Sequence, residues 1–361
     1  MARFLTEFAA SQAAFLSAAR GVGAELAHHP HPLPGPGGIK VGVDVAIFGA
    51  ARPESVLFLT SGAHGVELAA GSACQIDLMA SGRLATLPPG LRVVLIHAAN
   101  PFGAAWLRRY TEENVDLCRN FLADWTSPPP VQPGFDVLKE AVNTPADGDT
   151  KAADAVIDQY EAEHGLAGLY AALMAGQYRD AQGIGFGGHG PTWARRTLEA
   201  IMRESAGDAG RIIALDYHTG VGPYAYGCMV AVQRGQRLQA ARDQFGPWIM
   251  AVRENPPPEA VDPMGHSTDG YEALFPGRDV MAQVLEVGTY PPRAFLNALI
   301  AEHRATQTFG HDSDDPRLAR ARFGLLRFFI PDDRHWEDYV LHRGRQAFEQ
   351  VLETLGTGSV A

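Results

Sequence analysis

The sequence predicts an α/β fold: a mixed, mostly parallel twisted sheet with helices on both faces, in three α/β/α layers. Three observations predict it. Short apolar and β-branched runs recur along the chain, as in Val41–Phe48, Val56–Thr60, Val93–His97, Ile212–Asp216 and Met281–Val287. Segments with helical spacing of apolar residues lie between them. Strands that alternate with helices in this way build a sheet covered on both sides.

Taken in order, residues 1–21 place Phe4, Phe8, Phe15 and Leu16 among polar residues at roughly helical spacing. They read as an amphipathic surface helix and not a signal peptide. His28–Gly38 is rich in proline and glycine and reads as a connector, its three histidines lying in a polar loop without an accompanying acid. Residues 39–361 read as a single domain. Within it Val41–Phe48 and Val56–Thr60 are strands, Gly65–Ala80 a helix, Val93–His97 a buried strand, and Asn100-Pro101 a turn. Pro128–Pro133 marks a surface loop that opens a helical insertion over about residues 125–180, with Lys151–Met174 its main helix. Thr192–Ser205 and Gln236–Arg253 continue as helices around the Ile212–Asp216 strand, and a mostly helical tail follows Met281–Val287. No internal repeat is present.

The totals set bounds on function. With 361 residues, 46% hydrophobic and 20% charged, a core forms without disulfides. A net charge of −11 argues against nucleic acid or anionic lipid as a partner, though a basic pocket for a small anion remains open. Three scattered cysteines, Cys74, Cys118 and Cys228, support neither a disulfide framework nor a cysteine-rich zinc knuckle, and suit a reducing cytoplasm. No run approaches the roughly 18 apolar residues of a membrane span.

Four signals carry chemistry. His64-Gly65-Val66-Glu67 stands where a strand gives way to a helix, so imidazole and carboxylate can face one point, and both suit zinc. His218 follows the strand ending Leu215-Asp216, where ligands gather in open α/β sheets. Asp216 shares its face and can orient it; the alternative is a buried, hydrogen-bonded structural histidine. Glu286 sits within the apolar Val284–Val287 run, where a carboxylate is costly unless it is functional or held in a salt bridge. Arg108-Arg109 and the stretch Asp116-Leu117-Cys118-Arg119-Asn120-Phe121 offer guanidinium groups able to grip a carboxylate or polarise a carbonyl, if they are not simply solvated.

In this order the motifs resemble the zinc carboxypeptidase superfamily: His-x-x-Glu, an Asp-x-Asn-Arg-Asn-aromatic stretch, a lone His, then a strand-borne Glu. Phe186–Pro191 is similar to the family's loop ahead of its third ligand, and Asn100–Gly103 to its Asn-Pro-Asp-Gly turn. The resemblance covers about residues 40–290. It implies Zn2+ held by His64, Glu67 and His218, with Glu286 as the general base that activates the zinc-bound water. It implies Arg119, with Asn120, on the substrate carboxylate, and Arg109 or Arg108 on the scissile carbonyl. Tyr271 is the candidate for the capping tyrosine, with Tyr290 competing. Two departures stand out. Cys118 replaces the family's Asn, and a thiol is a poor carboxylate donor. The short spacing between Arg109 and Arg119 is closer to the aspartoacylase and succinylglutamate desuccinylase relatives, whose C-terminal β domain the helical tail does not resemble.

The expected function is therefore a zinc-dependent hydrolase that cleaves an amide bond near a free carboxylate in a small molecule or short peptide. An N-acyl-amino-acid deacylase and a non-catalytic zinc-binding module are the alternatives. A serine hydrolase finds no Gly-x-Ser-x-Gly elbow in the chain. His97, His266, His303, His311, His335 and His342 are expected to be packing or surface residues, and His189 to lie near the site.

Overall fold

A computed structural model describes residues 4–254 and 262–356. The chain opens with α1 (Phe8–Gly21), β1 (Glu25–Pro30), β2 (Gly42–Gly49) and β3 (Ser55–Ser61). Next come α2 (Leu68–Ala80), β4 (Leu91–His97), α3 (Pro101–Ala105), α4 (Pro133–Val142), α5 (Thr150–Met174) and α6 (Trp193–Ala206). Then follow β5 (Arg211–Gly220), β6 (Gly227–Ala231), α7 (Gly235–Phe245), β7 (Ile249–Ala251), α8 (Ser267–Leu274) and β8 (Asp279–Gly288). Three helices close the chain: α9 (Pro292–Phe309), α10 (Pro316–Phe329) and α11 (Arg334–Gly356).

The eight strands form one sheet in the order β1-β2-β4-β3-β5-β8-β6-β7. The central run β4-β3-β5-β8 is parallel, while β2 joins it antiparallel on one side and β6 on the other. Alternation along the strands divides the core. Leu57, Leu59, Leu95 and Leu215 pack with Phe15 of α1, Met79 of α2 and Phe348 of α11. Their neighbours Val56, Phe58, Ile96 and Ala214 turn to the opposite face, against Leu198 and Ile201 of α6 and Tyr271 of α8. Successive side chains of a strand point to opposite faces, so apolar runs of this kind are compatible only with a sheet buried on both sides.

Several elements differ from the sequence reading. β1 occupies part of the expected connector. It is an edge strand of mostly exposed or half-exposed residues, paired only with β2, so its sequence carries no core pattern. The helix expected over Gln236–Arg253 ends at Phe245, because Gly246-Pro247 interrupts it and Pro247 cannot supply the next backbone N–H. The remainder becomes β7. The short strand β6 and the helix α8 have no counterpart in the sequence reading. No helix among the described residues is long and apolar enough to cross a membrane.

Candidate metal centre

The three central strands β3, β5 and β8 are parallel neighbours, so their C-terminal ends open at one edge of the sheet. Each delivers one polar group there. β3 ends at Ser61, and His64 follows as the residue that begins a single 3-10 turn, Gly65–Glu67, ahead of α2. β5 carries His218 and β8 carries Glu286, and these two residues are direct partners in the strand register. All four side chains are buried: His64 is 5% exposed, Glu67 2%, His218 5% and Glu286 7%.

The turn after β3 cannot move away from its neighbours. A Cβ on Gly65 would lie 2.1 Å from both Ala104 N and Gly103 C. The main chain therefore passes hard against α3, and only glycine fits. Gly65 and Val66 donate their N–H groups to the carbonyls of Arg109 and Arg108. This seats His64 and Glu67 beside the arginine pair.

The side chains converge. His64 Nδ1 lies 2.8 Å from Glu67 Oε1, His218 Nδ1 is 3.2 Å from Glu67 Oε2, and the two Nδ1 atoms are 3.0 Å apart. The far nitrogen of each imidazole faces a carboxylate, with His64 Nε2 at 3.2 Å from Asp116 Oδ1 and His218 Nε2 at 3.2 Å from Asp216 Oδ2. If those nitrogens donate, both Nδ1 atoms present lone pairs to each other and to Glu67. Three acceptors at such separations repel unless a proton or a metal ion lies among them. Bonds of about 2.0–2.2 Å to one zinc ion suit separations of this size. Cys118 Sγ approaches His218 Nε2 at 3.8 Å. His64, Cys118 and His218 together present ligand atoms all within 4.8 Å of one another, a group that could hold a metal ion.

Electrostatics point the same way. Burial and the Arg109 guanidinium act to lower the His64 pKa, but Cys118, Glu67 and Asp116 outweigh them and raise it to about 10. Burial likewise opposes the His218 cation, and Asp216, Cys118 and Glu67 hold its pKa well above the usual range. Glu67 moves the other way: burial favours its neutral form, yet His64 and His218 hold its carboxyl far below the normal value. The groups around the two imidazoles are thus rich in anions and favour positive charge at that point. Glu286 differs, because burial, reinforced by Glu67, lifts its carboxyl to about 7. Its Oε1 accepts the Val221 N–H at 2.9 Å.

These groups line a cavity together with Arg109, Arg119, Cys118 and His266. Tyr170 and Met174 of α5, Phe295 of α9, and Phe328 and Phe329 of α10 form its apolar wall. Arg109 is held by Asp116 at 3.2 Å and Glu67 at 3.4 Å. Arg119 donates to the carbonyls of Met174 and Cys118, and no acid forms an ion pair with it among the described residues.

Three residues expected at the site lie elsewhere. Arg108 is buried in an ion pair with Glu302 at 3.1 Å and also donates to Asn114, so its charge is already matched. Asn120 spends its amide on the carbonyls of Gly187 and Gly190 and its oxygen on Thr192, clamping the glycine loop to the start of α6. Tyr271 is 2% exposed and packs edge-on against Phe121 inside the core, which leaves it no path to cap a substrate. His189 is exposed and rests against Phe186, away from the cavity lining. The sequence reading missed His266 and the aromatic wall. The wall comes from α5, α9 and α10, whose aromatic residues look like ordinary core in sequence.

Comparison with known proteins adds the following. No curated protein matches the sequence. Among solved structures, the chain is similar to carboxypeptidase A from Helicoverpa armigera, with TM-score 0.46 and 12% identity over 94% of this chain and 73% of that one. It is similar to bovine thrombin-activatable fibrinolysis inhibitor, solved with tick carboxypeptidase inhibitor, with TM-score 0.46 and 12% identity over 96% and 97% of the two chains. It is also similar to the succinylglutamate desuccinylase from Chromobacterium violaceum, with TM-score 0.35 and 16% identity over 89% and 76%. A family model described as a protein of unknown function, DUF2817, matches residues 4–343, and the chain belongs to that family.

Proposed function

We propose that this protein is a zinc-dependent hydrolase that cleaves an amide bond near a free carboxylate, with His64, Glu67 and His218 as metal ligands. One observation carries the reading: two imidazole nitrogens and a carboxylate face one point at 2.8–3.2 Å, with a second acid behind each imidazole. Carboxylate-backed histidines of this kind are the usual support of a bound metal. A zinc ion bound there supplies a Lewis acid for the carbonyl and makes water acidic near neutral pH.

The residues divide the remaining work. Glu286, its pKa raised to about 7, is matched to accept a proton from the attacking water and return it to the leaving amine. Arg109, held beside Glu67 and Asp116, would stabilise the developing oxyanion. Arg119 is buried, cationic and without an acid partner among the described residues, which favours a substrate bearing a carboxylate. The wall of Tyr170, Phe295, Phe328 and Phe329 favours an apolar group beside it. C-terminal peptides and N-acyl amino acids both satisfy these demands, and a panel of the two separates them. Cys118, beside His218, keeps a non-catalytic metal-binding role as the competing reading.

The test is Glu286→Gln. The variant should retain zinc by elemental analysis while release of free amino acid falls by roughly 10²–10⁴-fold, the usual worth of a general base. Undiminished turnover would remove Glu286 from the reaction. A wild-type protein that binds zinc yet releases nothing from either panel would support the non-catalytic reading.

A further inference from the structure

His266 is held against the main chain of Arg119. Phe121 N–H donates to the Gly265 carbonyl at 2.9 Å, and Met264 N–H to the Ala175 carbonyl at 2.9 Å. Tyr178 Oη donates to the Arg119 carbonyl at 2.6 Å. Gly265 has φ +58°, and a Cβ there would fall 2.4 Å from Tyr178 Oη and 2.5 Å from the Arg119 carbonyl oxygen. Only glycine allows the approach. The next residue is therefore delivered to the cavity edge where Arg119 stands, and both residues line it.

The imidazole has a fixed tautomer. His266 precedes α8 as its N-cap, and Nδ1 accepts from Thr268 N–H at 3.3 Å, with Thr268 Oγ1 at 2.8 Å. A ring nitrogen that accepts a backbone N–H carries no proton, so in the neutral ring the proton sits on Nε2. Burial, then Arg119 and His218, keep the imidazole pKa well below the ordinary range, so the ring stays neutral. Nε2–H makes no hydrogen bond among the described residues, although His266 is 8% exposed and thus nine-tenths buried. Nε2 is not one of the fully enclosed atoms and keeps access to the cavity that His266 lines, where a ligand can reach it. Beside it Arg119 uses three of its five N–H groups on the Met174 and Cys118 carbonyls.

We propose that His266 Nε2–H and the spare N–H groups of Arg119 together form the subsite for the substrate carboxylate, His266 supplying the neutral donor that a thiol at position 118 cannot. The inference rests on the carboxylate-bearing substrate argued above and adds the residue that recognises it.

The test uses the full chain and calorimetric binding of 3-phenylpropanoate against 3-phenylpropanamide, with and without chelator so that direct metal binding is separated. Wild type should favour the acid over the amide. His266→Ser keeps a good helix-capping oxygen but removes the imidazole. It should bind the acid about tenfold or more weakly, the worth of one hydrogen bond to a charged group, with amide binding and melting temperature unchanged. If His266→Ser melts lower, His266→Asn, an equally good cap, carries the test. Unchanged acid binding in the variant, or equal loss for acid and amide, overturns the role of His266 and leaves the hydrolase reading intact. A wild type without preference for the acid overturns the carboxylate reading, and this inference falls with it.

Discussion

His97 is fully buried at the end of β4, its ring stacked on Phe15 at 4.6 Å and its Nε2 3.2 Å from Ser11 Oγ. Ser11 donates its own proton to Ser72, so the imidazole is the donor and Nδ1 is left against apolar neighbours. Burial holds its pKa down to about 3. An unfolded chain protonates this ring near pH 6.5. Between those values the unfolded state binds more protons, so stability is lost as pH falls from about 6.5 toward 3, by up to roughly tenfold in the folding equilibrium per pH unit. His97→Gln keeps a donor in the same place and cannot titrate. It should flatten acid unfolding curves over that window, and an unchanged pH slope would contradict the assignment. His64 and His218 were legible in the sequence because each is a ligand type placed just past an apolar run, whereas His266 has only the signature of a cap. Arg108 and Arg109 could not be told apart, since the choice depends on Glu302, a distant residue that claims the first of them.

The turn between β3 and α2 is the element on which the centre depends most directly. Gly65→Ala would drive a methyl into the backbone of Gly103 and Ala104 on a segment that also donates to Arg108 and Arg109. We expect a loss of roughly 2–4 kcal/mol in chemical denaturation, the scale of forced overpacking with lost hydrogen bonds, together with weaker zinc retention. A variant of wild-type stability and zinc content would show that the turn has slack. Strands β2, β3, β4, β5 and β8 were legible as apolar runs. β1, β6 and β7 were not: β1 and β7 are the edge strands, where the demand for apolar residues relaxes, and β6, between β8 and β7, is only five residues long. The glycine loop before α6, Phe186–Pro191, was related to the site by its similarity to the carboxypeptidase loop ahead of the third ligand. Its contacts with Asn120 show it bracing the chain instead.

Across the whole molecule, the centre unites groups that the sequence holds far apart, with His64 and His218 standing 154 positions apart. A metal that binds only the folded chain stabilises it by about 2.7 kcal/mol at 100 times its Kd. Chelation should therefore lower the melting temperature of wild type by several degrees and leave His64→Ala unaffected. Equal shifts in both would place the stabilising ion elsewhere. The sheet order explains why motif order alone was informative: β3, β5 and β8 are adjacent, so three signals scattered in sequence had one place to meet. The same adjacency bears on biosynthesis. Because β8 inserts between β5 and β6, a nascent or proteolysed chain that stops before it lacks the strand that carries Glu286 to the edge where His64 and His218 meet.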